Sequence, residues 1–228
     1  MNSSIRAGAD SRDMIGAHVS YRREFGAVPQ VVSAVGADDT TRARVVAAHI
    51  QLIVNQLHAH HTSEDDGVWP KLHQRCPAEL EPLVVTMEQQ HLSLDRHLRE
   101  LETSVRRWAG TGSAADRDSV ADAAERLLPP LHEHLDLEEE KVLPLIDTYL
   151  SQKEWDDVVH GGVAKIPKSK LLLIMGITLY DSDAEMRRIM SKSMPSWVWP
   201  VMARLGRRSY ASHAKRVYGT ATPAHYAG

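Results

Sequence analysis

The sequence predicts an all-α protein. It reads as an up-down-up-down four-helix bundle over residues 11–150, followed by a basic, helical C-terminal extension over 151–228. Three observations predict this. From Ser11 to about Ser151, apolar residues recur every three or four positions, the period of a helix with one buried face. Three short stretches interrupt that period: Gly36 to Asp39, Cys76-Pro77, and Gly110 to Ser113. No stretch alternates apolar and polar residues as a half-buried strand does.

Each helix follows from its own stripe. The first carries Met14, His18, Tyr21 and Phe25. To keep His18 level with the other helices it must run to about Val35, so Pro29 is expected to mark a kink or a restart and not a chain reversal. The second carries Val46, Ile50, Ile53, Leu57, His60, Glu64 and Val68, and Thr40 or Thr41 is expected to cap it. The third carries Val84, Met87, His91, Leu94, Leu98, Leu101 and Val105. The fourth carries Leu127, Leu131, His134, Glu138, Val142 and Leu145, with Ser113 as its expected cap. Past the pair Gly161-Gly162, shorter helical pieces are expected near 167–179, 181–192 and 195–218, interrupted by Pro195 and Pro200.

Composition excludes several classes. At 43% hydrophobic and 25% charged, the 228 residues are not a disordered chain. Cys76 is the only cysteine, so there is no disulfide framework, and beside Pro77 it is expected to be inert. The longest apolar stretch, Leu171 to Tyr180, is about half of the ~20 residues a membrane span needs. Nothing near Met1 resembles a signal peptide, and the cytoplasm is the expected compartment. Residues 1–160 hold 27 acidic residues against 16 basic, whereas 161–228 hold 3 against 11. That asymmetry predicts an extension docked on the bundle in preference to one bound to nucleic acid or anionic lipid. Arg204, Arg207, Arg208, Lys215 and Arg216 cluster beside Trp197 and Trp199, but no nucleic-acid motif frames them.

The stripes contain residues that an apolar seam does not tolerate. All four helices place His in it, and the second and fourth add Glu. An unpartnered buried carboxylate costs several kcal/mol, and two of them with four imidazoles would destabilise any core. A shared cation removes the difficulty, because neutral imidazoles and charged carboxylates are its ligands. The pattern is also repeated: His60 to Pro70 and His134 to Pro144 both read His-x3-Glu-acid-acid-x-Val-x-Pro. An i, i+4 pair shares one helix face with about 6 Å of rise, which suits an imidazole on one metal and a carboxylate reaching a second. His61 and His132 fall off the stripe and are expected at the surface or behind the ligands. His49, His58, His73 and His97 are expected to be solvated. A ferritin-like di-iron bundle needs two Glu-x-x-His motifs. Glu88 to His91 supplies one, but Leu57 and Leu131 stand where the other would need Glu.

His18, His60-x3-Glu64, His91 and His134-x3-Glu138 together resemble the hemerythrin family, in particular its bacterial HHE cation-binding branch, over roughly residues 11–150. The resemblance implies a non-haem centre of two iron ions with an oxo or hydroxo bridge. His18 and His60 would bind one iron, His91 and His134 the other, and Glu64 and Glu138 would bridge. Manganese or zinc also suits such ligands. Oxygen-carrying hemerythrins have a second His four residues after the third-helix His; here that residue is Asp95. A ligand is therefore missing, or is replaced by a carboxylate or water, with Asp95 as ligand or as support behind one. Tyr21, one turn from His18, could hydrogen-bond a bound small molecule. An open position favours reaction with O2, peroxide or NO, with peroxide disproportionation the first reaction expected. The alternative is a non-enzymatic iron, oxygen or NO sensor or store that signals through the extension.

Overall fold

The periodic segments fold as helices in the computed structural model, which describes residues 8–192 and 194–226. The bundle is built from α1 (Asp13–Ser33), α2 (Thr40–Gly67), α4 (Glu81–Thr111) and α5 (Ala114–Leu137). Two short helices prolong it: α3 (Trp69–Arg75) follows α2, and α6 (Leu143–Tyr149) follows α5. No strand occurs among the described residues, only an isolated bridge between Gly8 and Ser151. Helix α4 packs on α2 and α5, and α1 packs on α5 and α2. Helices α2 and α5, which carry the two repeats, therefore stand at opposite corners.

Helix α1 runs unbroken past Pro29, without a restart. Asp39, not Thr40 or Thr41, caps α2, its carboxylate accepting from the Arg42 N–H at 2.9 Å. A carboxylate at the cap also meets the positive end of the helix dipole, which a threonine hydroxyl does not. Ser113 caps α5, accepting from the Asp116 N–H. Just before it, Gly112 ends α4 at φ 65°, where L side chains are strained.

Both repeats distort their helices within one turn of the Glu. In the second, Glu138–Val142 form a π segment closed by Leu143 N–H reaching back to Glu138 C=O. Pro144 has no N–H to offer the preceding turn, which accounts for the irregularity. In the first, Val68 (φ −100°, ψ −62°) separates α2 from α3 just ahead of Pro70, its N–H still bonded to the Glu64 carbonyl.

The extension comprises α7 (Gln152–Ala164), α8 (Leu171–Asp181), α9 (Ala184–Ser191) and α10 (Trp199–Tyr218). Gly161-Gly162 does not break the chain, since α7 passes through both. Gly162 instead admits Ser63 of α2, whose Oγ would lie 3.2 Å from an added Cβ. Pro200 opens α10 and does not interrupt it. Helix α7 lies on α2, α8 on α1, and α10 on α8 and α2.

The contacts between extension and bundle include exposed ion pairs, Lys165 with Asp66 and Lys192 with Asp10, and a buried polar cluster. Glu24 of α1 is buried and accepts from Tyr210 at 2.9 Å and from Tyr218. Arg23 pairs with Glu24 and with Asp181 of α8. His49, expected to be solvated, is 2% exposed here, 3.1 Å from both His213 and Glu24. Burial would raise the Glu24 carboxyl, but His49, Arg23 and Tyr218 together hold it well below the usual carboxylate range. Arg204, Arg207, Arg208, Lys215 and Arg216 stay exposed on the outer face of α10. No helix among the described residues is long and apolar enough to cross a membrane.

Helices α8 and α10 cross at Gly176 and Gly206, where a Cβ on Gly176 would lie 2.1 Å from the Gly206 carbonyl oxygen. Backbone cannot yield as a side-chain tip does. Gly176→Ala is expected to lower stability by about 1–3 kcal/mol in chemical denaturation. Gly161→Ala, whose Cβ meets nothing within 4 Å, should leave stability unchanged or raise it by up to ~1 kcal/mol. Equal effects of the two would contradict this packing.

Candidate metal centre

The apolar core of the bundle is divided in two. One cluster holds Tyr21, Phe25, Leu57, Leu94 and Leu131; the other holds Met14, Val68, Met87 and Val142. In each helix the intervening turn carries the histidines and glutamates, so these side chains form one polar layer between two apolar ones. His18, Glu64, His134 and Glu138 are fully buried and His91 nearly so, while the His60 side chain is 12% exposed.

Within the layer two groups form. His18, His60 and Glu138 bring one ligand atom each within 4.8 Å of one another, and so do His61, His91 and His134. The Nε2 atoms of His18 and His60 are 3.2 Å apart. Two ligands at ~2.1 Å from one metal are about 3.0–3.4 Å apart, so this spacing suits a shared ion. The glutamates link the groups. Glu64 presents Oε1 to His60 Nε2 at 3.1 Å and Oε2 to His91 Nε2 at 3.5 Å. Glu138 Oε2 lies 3.4 Å from His18 Nε2 and 3.6 Å from His134 Nε2.

The outer nitrogens of His18, His91 and His134 are engaged. His18 Nδ1 is 2.9 Å from Glu139, which Arg22 also holds; His91 Nδ1 is 2.7 Å from Asp65; His134 Nδ1 is 3.2 Å from Gln90 Oε1. These oxygens only accept, so each Nδ1 carries the proton and each Nε2 turns a lone pair inward. Asp65 and Glu139 occupy the same place in the two repeats, each directly after the linking glutamate. Each thereby orients a histidine on a different helix.

The inner atoms have no such partners. The Nε2 atoms of His61, His91 and His134 and all four carboxylate oxygens of Glu64 and Glu138 are buried without a hydrogen bond. Native cores leave few polar atoms unpaired, so seven converging on one space fit a cationic occupant. The donor set, imidazole nitrogen with carboxylate oxygen, suits iron, manganese or zinc.

The structure brings together all six residues singled out in the sequence and adds His61. Not a surface residue, His61 is 6% exposed and stacks on His91 with ring centroids 4.2 Å apart. The wide interior of a four-helix bundle admits two neighbouring residues of one helix, which a stripe of one residue per turn overlooks. The repeat hid it as well, because the equivalent residue is Leu135. Asp95 is not brought to the layer: its carboxylate binds Arg99 at 2.6 Å and lies 3.7 Å from His58 near the surface. Tyr21 lies tilted against His60 with ring centroids 5.3 Å apart, and its hydroxyl donates to the Gln56 carbonyl.

Without a cation the layer must hold protons. Burial, with the charge of Glu139, pushes the Glu138 carboxyl up to about 8. Burial and then Glu138 raise Glu64 as well. Burial, joined by the neighbouring imidazoles, lowers His60, His61 and His134 below 6.5. A raised carboxyl contributes stability that is lost as pH rises through its folded-state value. A depressed histidine contributes stability that is lost as pH falls below its unfolded value. Metal-free protein should therefore be most stable near pH 6.5, losing melting temperature as pH falls below that value and as it rises from there through about 8. The metal-loaded protein should keep its stability as pH rises from 6.5 through 8, since its carboxylates are already ionised; parallel profiles would contradict this assignment.

Comparison with known protein families matches residues 10–146 to the hemerythrin HHE cation-binding domain. No curated protein and no solved structure matches the chain. The matched span runs from just before α1 into α6. It includes the whole polar layer and leaves out α7 to α10. More than half of the sequence is covered, and the histidine and glutamate layer lies wholly within that part: the chain belongs to the hemerythrin HHE cation-binding family.

Proposed function

We propose that the polar layer holds a pair of iron ions and that the protein reacts with oxygen-derived small molecules, peroxide first among them. Seven unpartnered inward-facing atoms, together with two glutamates that each face both histidine groups, carry this reading. His18 and His60 would hold one ion, and His61, His91 and His134 the other, with Glu64 and Glu138 shared. Such a pair, when bound, supplies one-electron redox steps and a place for O2, H2O2 or NO to bind.

The remaining work belongs to the chain. Glu139, Asp65 and Gln90 fix the tautomers of His18, His91 and His134. The apolar clusters above and below exclude water. The second half of the layer has three imidazoles where the sequence suggested two, so His61 would supply the ligand that the sequence left missing or open to a carboxylate or water. The domain boundary near residue 150, with a metal bundle before it and an extension docked on it after, belongs to the same proposal. The pairs of Arg23 with Asp181 and of Glu24 with Tyr210 support the docking.

A non-enzymatic sensor or store is the second reading, favoured by one observation. Helix α1 carries both His18 of the layer and Arg23-Glu24, the residues that hold α8 and α10. A change at the centre has a rigid route to the extension.

Metal analysis of purified protein should find about two irons per chain, with charge-transfer absorption in the near ultraviolet and visible. Colourless, metal-free, stable protein would remove both readings. Hydrogen peroxide consumption that falls at least ten-fold in His91→Ala supports the enzyme. Absent turnover, with protease sensitivity of residues 161–228 changing on oxidation, supports the sensor.

A further inference from the structure

Between the bundle and the extension lies a cavity of about 390 Å³, on the His60 side of the polar layer. Its inner wall includes His60, Glu64 and Tyr21, and its outer wall comes from α7, α8, α9, α10 and the segment before α10. His60 is the least buried of the six sequence-identified layer residues, and this is the side on which it opens. The extension thus does more than cover α1 and α2; it completes a chamber beside the metal layer.

Size and lining narrow the occupant. A dioxygen or peroxide molecule has two heavy atoms, whereas the cavity equals about thirteen water volumes at ~30 Å³ each. It falls within the ~300–1,000 Å³ of ordinary organic-ligand pockets. Five of the chain's eight methionines line it: Met14, Met175, Met190, Met194 and Met202. Flexible, polarisable thioethers adapt to apolar ligands of varied shape. Among the described residues no lysine or arginine lines it, so a carboxylate or phosphate head would be buried without a counter-charge. Gln56, Ser63 and Thr178 leave room for one or two neutral hydrogen bonds.

We propose that this cavity binds a neutral, largely apolar organic molecule of about a dozen non-hydrogen atoms, one end resting against the His60 and Glu64 side of the metal layer. Only the identity of the layer as a metal centre rests on the function proposed above; the cavity stands on its own geometry.

The test is a fluorescence titration of the full chain, metal-free and iron-loaded, with the neutral apolar probe N-phenyl-1-naphthylamine. Saturable binding of one probe per chain is expected, with displacement by 1-decanol and not by decanoate at neutral pH. Val163 lines the cavity yet is 44% exposed, so Val163→Trp should fill the mouth without unfolding the chain. It should weaken probe binding at least ten-fold at an unchanged melting temperature, and Met175→Trp, filling the chamber from α8, is the second variant. No saturable binding, displacement by decanoate as readily as by decanol, or unweakened binding in both folded variants would overturn the inference. A chain that binds probe but no metal sinks the metal reading alone; one that takes up metal but no probe sinks this inference alone.

Discussion

Everything in this fold turns on one polar layer in an apolar interior. Ionisable side chains from four helices meet at one depth, and their inner atoms face one another without hydrogen-bond donors. Burying even one such carboxylate costs several kcal/mol. The bundle tolerates the layer only with protons or cations between its members. Burial raises the carboxyls and so favours their protonation; a bound cation would account for atoms that converge in pairs and triplets at ligand spacing.

The surrounding structure serves that layer. Each repeat supplies a linking glutamate, then an acid that orients a histidine from a neighbouring helix, then a proline that disturbs the helix one turn later. The irregular turns, Val68 one turn after Glu64 and Glu138–Val142 starting at the second glutamate, are where α-helical regularity is given up. The extension adds a second buried polar cluster around Glu24. Its charge is balanced by Arg23 and shared with His49 and two tyrosines, so it needs no ion.

Much of this was legible in the sequence because helical period is a strong signal and polar residues in a seam violate it. The bundle and the six layer residues came from that violation. His61 did not, because adjacent residues on one helix point about 100° apart and only the width of the interior lets both take part. Asp95 satisfied the spacing but not the environment: Arg99 one turn on offers an exposed ion pair. His49 read as solvated because its cover comes from Tyr218 and His213, some 165 residues away, and no local pattern announces such a contact. Gly161-Gly162 read as a boundary because glycine pairs often end helices; here the missing side chain of Gly162 serves close packing on α2.

The claim that the layer exists to hold cations is tested most directly by the melting temperature of chelator-stripped protein with and without excess ferrous iron under anaerobic conditions. Ligand at about a thousand-fold its Kd adds ~4 kcal/mol, which for a chain of this size is a rise of about 8–16 °C. That rise, lost in Glu138→Ala, is the result the account predicts. Coincident melting curves with and without iron would contradict it.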